Sequence, residues 1–147
     1  LISLGDGAYL EVISPEGRLL RGTPSDVNNA SVVMRLVYGE VSFFLSGDMF
    51  SEAEGALLAR QGPIDSDVLK VAHHGSRTSS RADFIQAVSP AAAVISAGAD
   101  NGFGHPHAEV IEGLRRHVPE QLLFTTQDSG TIEFVTDGKS LRVRTKR

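Results

Sequence analysis

Asp67-Val68-Leu69-Lys70-Val71-Ala72-His73-His74-Gly75-Ser76 is an apolar run of strand length that breaks off in two imidazoles and a glycine. Its aliphatic residues predict a buried strand over 67–72, with the chain turning at the histidines. The downstream sequence agrees. Residues 80–88 read as a helix stopped at Pro90, 91–96 as another buried strand, 107–117 as a helix with Val110, Ile111 and Leu114 on one side, and 121–126 as a further strand. On the N-terminal side, Ser51 reads as a helix cap with Glu52 and Glu54 in the first turn. Ala53, Ala56, Leu57 and Leu58 form an apolar face that ends at Gly62-Pro63. Strands alternating with helices through short links imply a sheet covered by helices.

The ends of the chain obey a different rule. Residues 8–14 alternate apolar and polar side chains, as a half-buried strand does, and 22–29 reads as a polar loop. Residues 31–38 and 41–46 are two strands joined by a tight turn at Gly39-Glu40, and 131–136 and 140–145 are two more joined by Asp137-Gly138. Antiparallel strands, then β-α repeats, then a hairpin make the chain α/β or α+β, with a mixed sheet and flanking helices in a single domain over 1–147.

Composition narrows the chemistry. With 41% hydrophobic and 22% charged residues in 147, the chain is globular rather than disordered. It has no cysteine, so disulfides and thiolate metal sites are excluded and any metal must be held by histidine and carboxylate. A net charge of −4 argues against holding nucleic acid by bulk charge, while leaving room for a local basic patch. The longest apolar stretches, such as 91–95, fall far short of the ~20 residues that cross a bilayer. No signal peptide is read at the start. Leu1 to Gly7 reads as the tail of one element and the turn into the next, which raises the expectation of a piece of a longer chain.

Four polar clusters sit at strand ends or helix starts, where open sheets place ligand sites: Asn28-Asn29, Gly47-Asp48, His73 to Ser76, and Asn101 to Pro106. An Asp after a strand is ordinarily a turn or cap residue. Two adjacent imidazoles at a Gly-marked strand exit are poorly explained by packing and suit a metal; the plain alternative is a surface pair. His105-Pro106-His107 has a His-x-His spacing, but no Asp-His comes after it to complete a metal motif. Pro106 at the first helical position would put His105 near the cap, where an anion could bind, and His107 in the helix start. His117, beside Arg115 and Arg116, reads as a solvated cation at a helix end.

Taken together, Asn28-Asn29-Ala30-Ser31, Phe44-Leu45-Ser46-Gly47-Asp48, the 67–76 stretch, Val94-Ile95-Ser96-Ala97-Gly98, Asn101 and Gly104-His105-Pro106 resemble the metallo-β-lactamase-like domain at the C-terminal end of the ComEC family of DNA-internalisation competence proteins. The match runs in order from about residue 10 to 143. The resemblance implies an αββα sandwich with metals at the edge between two sheets. It also implies a missing part, because the superfamily's N-terminal His-x-His-x-Asp-His motif does not occur here. Asp48 then matches the aspartate that bridges two metals, and one of His73 and His74 matches the last histidine ligand, His74 being the preferred one. The other histidine, with His105, would stabilise charge or move a proton. Asn28-Asn29 stands where many members have a histidine, which shifts the expected ions toward Mn²⁺ beside Zn²⁺.

Lys70, Ser76, Arg77, Asn101 and Asn28 are the candidate substrate contacts; solvated charge is the plain alternative for Lys70 and Arg77. The implied activity is that of a metal-dependent phosphodiesterase acting on single-stranded DNA during uptake. The domain would be a soluble part of a membrane-embedded bacterial parent polypeptide, on the extracytoplasmic face. Rivals are another ester, such as a phosphorylcholine or lactone, and a DNA-guiding domain without catalysis. A chain supplying only later strands would expose an apolar sheet face, so it is expected to self-associate and, alone, neither to hold two metals nor to cut DNA.

Overall fold

The computed structural model describes residues 1–17 and 19–147. Seven strands, β1 (Ile2–Gly5), β2 (Ala8–Ser14), β3 (Val33–Tyr38), β4 (Val41–Leu45), β5 (Val68–Lys70), β6 (Ala92–Ile95) and β7 (Leu123–Thr125), form one sheet whose spatial order is the order of the sequence. Strands β1 to β4 pair antiparallel, and β4 to β7 pair parallel. The parallel half is connected by α2 (Ser51–Arg60), α3 (Ala82–Val88) and α4 (Ala108–Arg115). Two short helices, α1 (Asp26–Asn29) and α5 (Thr126–Ser129), and a separate hairpin of β8 (Thr131–Thr136) and β9 (Leu141–Lys146) complete the fold. This is the mixed sheet with flanking helices that the sequence implies.

Crossovers between parallel strands keep one hand, so successive crossovers in one direction put every helix on the same face. The core obeys this. Ala53 and Leu57 of α2, Phe84, Ile85 and Val88 of α3, and Val110 and Leu114 of α4 pack in one cluster with Val33, Phe44, Leu69 and Ala93 of the sheet. Phe44 meets Phe84 edge to face at 5.6 Å. The opposite sheet face is left to the hairpin, where Phe134 of β8 packs against Phe43 at 5.9 Å and Phe124 at 6.2 Å. The hairpin turn touches the β3–β4 turn, where the Glu40 N–H donates to the Gly138 carbonyl at 2.6 Å, but it leaves apolar residues of β1 and β2 uncovered. Cross-strand pairing puts Ile2, Leu10, Val12, Met34 and Leu36 on that face, and Ile2 and Val12 remain about half exposed. The expectation of self-association rests on this patch. Light scattering at micromolar concentration tests it, and a stable monomer would overturn it.

Several boundaries differ from the sequence reading for identifiable reasons. The loop over 22–29 contains the single turn α1, capped by the Ser25 hydroxyl, which accepts from the Asn28 N–H. Ser51 is not the cap of α2. Phe50 holds that position, and the capping oxygen is Oδ1 of the distant, buried Asn29, which accepts from the N–H groups of Phe50 and Ala53 at 3.1 and 3.3 Å. Pro106 is not the first residue of α4; that helix begins at Ala108, with His107 in the cap position. Strand β5 stops at Lys70, and the segment to Gly75 turns away. Among the described residues no helix is long and apolar enough to cross a membrane.

Candidate active site

Residues that come after parallel strands emerge at the same end of the sheet, where open sheets bind ligands. Asp48 lies just past β4, His73 and His74 past β5, His105 in the connection after β6, and α5 after β7. The in-register pairing of Leu45 with Lys70 and of Lys70 with Val94 brings these exits level.

The turn after β5 is backbone under strain. His73 (φ 47°), His74 (φ 55°) and Gly75 (φ 79°) are consecutive left-handed residues, a conformation that costs a side-chain-bearing residue about 1–2 kcal/mol. Such strain persists only where the surroundings over-determine it. Here the His73 N–H donates to the Gly47 carbonyl at 3.1 Å, the Ser76 N–H to the His73 carbonyl at 2.9 Å, and the His107 N–H to the Gly75 carbonyl at 3.0 Å. Gly75 is required twice over, since a Cβ there would lie 2.6 Å from Cβ of Pro106.

These ties set the side chains. His74 donates from Nδ1 to the Ser96 carbonyl at 2.6 Å, because a carbonyl can only accept. In its neutral form the lone pair is therefore on Nε2, which faces Oδ1 of Asp48 at 3.5 Å. Asp48 is held from behind by its N–H, which donates to Oγ of Ser31 at 3.2 Å. The two side chains are each a little under half exposed.

His73 is anchored differently. Its Nδ1 lies 3.0 Å from the Thr78 hydroxyl, which donates onward to Oγ of Ser76 at 3.0 Å, so Nδ1 carries the proton and Nε2 is free. Its ring stacks on Phe50 at 5.0 Å and meets the edge of His105 at 5.6 Å. Burial holds His73 below the usual imidazole range, opposed by Asp48 and reinforced by His74 and Lys70. Burial likewise lowers His105, with His107, His73, His74 and Arg77 adding to the effect. Both shifts favour the neutral ring. Lys70 is lowered by burial and raised in part by Asp48, and its ammonium donates to the Val71 carbonyl at 3.1 Å.

Asp48, His73, His74 and His105 thus come together with Lys70 beside them. The other candidates are engaged elsewhere. Ser76 is buried behind Thr78. Arg77 pairs with Glu109 at 3.4 Å, and its N–H donates to Nδ1 of His107 at 3.1 Å. Asn101 braces its own loop, and Asn28 lies on α1. Phe50, Thr78, Ser31 and the Ser96 carbonyl were not legible as site parts. The pattern around Asn101-Gly102-Phe103-Gly104 did carry a signal, an aromatic ring between two glycines with nothing local to bury it.

The donor set can be compared with what a metal needs. A gap of 3.5 Å exceeds the roughly 2.7–2.9 Å of a charge-assisted hydrogen bond, whereas two donors each ~2.0–2.2 Å from one ion stand about that far apart. His74 and Asp48 therefore fit one ion as a pair. They do not complete a coordination sphere, because no group of three or more His, Asp or Glu converges among the described residues.

No protein-family model matches the chain. It is 40% identical over 123 residues to ComE operon protein 3 of Bacillus subtilis (strain 168), covering 84% of this chain and 15% of that protein. It is 36% identical over 130 residues to Competence protein ComA of Neisseria gonorrhoeae, covering 88% of this chain and 18% of the relative. The chain is homologous to a segment of competence proteins. A further match, Recombination protein 2 of Haemophilus influenzae, is 34% identical over 111 residues, covering 76% of this chain and 13% of that protein. The chain therefore spans less than a fifth of the length of these relatives.

Proposed function

We propose that this chain carries part of the active site of a metal-dependent phosphodiesterase that acts on single-stranded DNA during uptake by a longer, membrane-embedded competence protein, on its extracytoplasmic side. One observation carries the reading. Nε2 of His74 and Oδ1 of Asp48 face each other across 3.5 Å; with His74 in its neutral form a lone pair meets a carboxylate there, an arrangement that a cation between them relieves. The names of the relatives support the link to competence.

Asp48 and His74 would hold a divalent ion, Zn²⁺ or Mn²⁺, with further ligands supplied from outside this chain. When bound, such an ion polarises a phosphoryl oxygen and makes water acidic enough to ionise near neutral pH. The chain's own residues do the rest. His73, whose burial favours the neutral ring, is oriented by Thr78 and Phe50 and takes up or returns a proton at Nε2. His105, in edge contact with His73, donates toward a phosphate oxygen, and Lys70 supplies positive charge from below. Ser96 and Ser31 orient the two ligands and touch no substrate.

The experiment is Mn²⁺-supported cleavage of end-labelled single-stranded DNA by the longer protein and by its Asp48→Ala variant. Loss of cleavage is expected. Unchanged turnover in the variant would remove Asp48 from the mechanism and end the reading.

A further inference from the structure

The loop from Gly98 to His105 holds a phenylalanine where burial gives it no reason to be. Phe103 is 80% exposed at the rim of a cavity of about 780 Å³ whose walls include His74, His105, Gln127 and Lys146. Single exposed apolar residues are ordinary on protein surfaces. This one is distinguished by how firmly it is held. Oδ1 of Asn101 accepts from the N–H groups of Phe103 at 3.2 Å and His105 at 2.9 Å, and its Nδ2 donates to the carbonyls of Gly98 at 2.7 Å and His105 at 2.6 Å. Nε2 of Gln127 donates to the same two carbonyls at 2.8 and 2.9 Å. The Phe103 ring lies nearly parallel to His105, centroids 5.7 Å apart and planes inclined by 23°. One face of the ring is backed by an imidazole of the site, and the other is open.

We propose that Phe103 is a nucleobase-stacking platform that seats single-stranded DNA at the site, one base lying on its open face while the adjoining phosphate reaches toward His74 and Asp48. Lys146, on the wall of the same cavity, offers an ammonium to the backbone. Where the phosphate goes rests on the phosphodiesterase reading; the stack itself does not. An aromatic ring accepts the face of any base, so the platform is tolerant of sequence. It discriminates against duplex, whose stacked bases have no free face to give.

The test is fluorescence anisotropy of the 147-residue chain with a labelled oligothymidylate and with an abasic oligodeoxyribose phosphate of equal length, without added metal. Phe103→Ala should weaken oligothymidylate binding by about 5- to 150-fold and leave the abasic strand unchanged, because stacking is what each base contributes. Phe103→Trp should restore the affinity. The ring is exposed, and an unchanged circular dichroism spectrum checks that both variants fold. Equal losses on the two strands, no loss on either, or a wild-type chain that does not prefer the base-bearing strand would each overturn the platform. Binding here needs no turnover. Base-dependent binding without cleavage by the longer protein would defeat the phosphodiesterase and spare the platform, and cleavage indifferent to Phe103→Ala would do the reverse.

Discussion

His74 and Asp48, 26 positions apart in sequence, face each other through Nε2 and Oδ1 at 3.5 Å, while His73, the immediate neighbour, turns its Nδ1 to Thr78. Adjacent residues thus have separate tasks. His74→Ala should lower the Mn²⁺ or Zn²⁺ bound by the longer protein, whereas His73→Ala should retain metal and lose turnover by about 10²- to 10⁴-fold, the range expected for a proton-transfer group. Emission spectroscopy after dialysis reads the metal. Equal metal in both variants would show that neither is an essential ligand.

Glu54 is fully buried on α2 and accepts from the N–H groups of Ser80 and Arg81 at 2.6 and 3.0 Å, so it ties down the segment that leads into α3. Burial pushes its carboxyl from 4.5 up to about 7 despite those hydrogen bonds. Below pH 4.5 the group is protonated whether folded or not. Between 4.5 and 7 only the unfolded chain releases the proton, so stability falls as pH rises, by about 3 kcal/mol in total, and levels off above 7. Urea unfolding across this range should show that slope in the wild type and a flatter profile in Glu54→Gln. Identical profiles would rule out Glu54 as the source.

Asn29→Ala removes the one acceptor shared by two N–H groups at the start of α2. Loss of a cap costs about 1–2 kcal/mol, and a buried one falls at the upper end. Because the same turn leads to Ser31 and hence to Asp48, the variant should also lose metal affinity out of proportion to its stability. Chemical denaturation and metal titration on the same sample separate the two effects. A variant with full stability would show that water replaces the cap.

Gly75→Ala forces a Cβ into Pro106 at a residue with φ near 79°, which combines left-handed strain with overpacking at a cost of about 3 kcal/mol. Both partners matter to the site, since one is next to His74 and the other next to His105. Thermal unfolding should show a large decrease in midpoint, with binding of oligonucleotide impaired even where the variant remains folded. A midpoint within about a degree of the wild type would mean that the turn relaxes freely, since ~1 kcal/mol already moves it by several degrees.

The apolar runs at β3 to β6 and the two-residue Gly39-Glu40 turn were legible because strand burial and tight turns leave local patterns. The last hairpin was visible too, but Asp137-Gly138 is not its whole turn: Thr136 pairs with Leu141, and Asp137 Oδ1 accepts from the N–H groups of Lys139 and Ser140 to close a four-residue link. The cap of α2 was not, because Asn29 reaches it from 22 residues upstream of Ser51 and no short-range rule contains that distance. Pro106 looked like a helix start on spacing alone, yet its ring is occupied against Gly75, and α4 begins only at Ala108. His73 and His74 were visible as a pair, but their division of labour depends on Thr78 and the Ser96 carbonyl, which tertiary contact alone brings near. The resemblance pointed to Asp48; the parallel register of β4 with β5 is what gives it a partner.

Because every strand of the large sheet lies beside its neighbours in sequence, the sheet can grow from one edge as the chain leaves the ribosome, each new strand finding its template already in place. The site does not share that early start. Asp48 emerges midway, His73 and His74 next, and the loop carrying His105 gains its Gln127 braces only after β7 has joined. The complete pocket therefore cannot exist in a nascent chain until residues beyond β7 have been made.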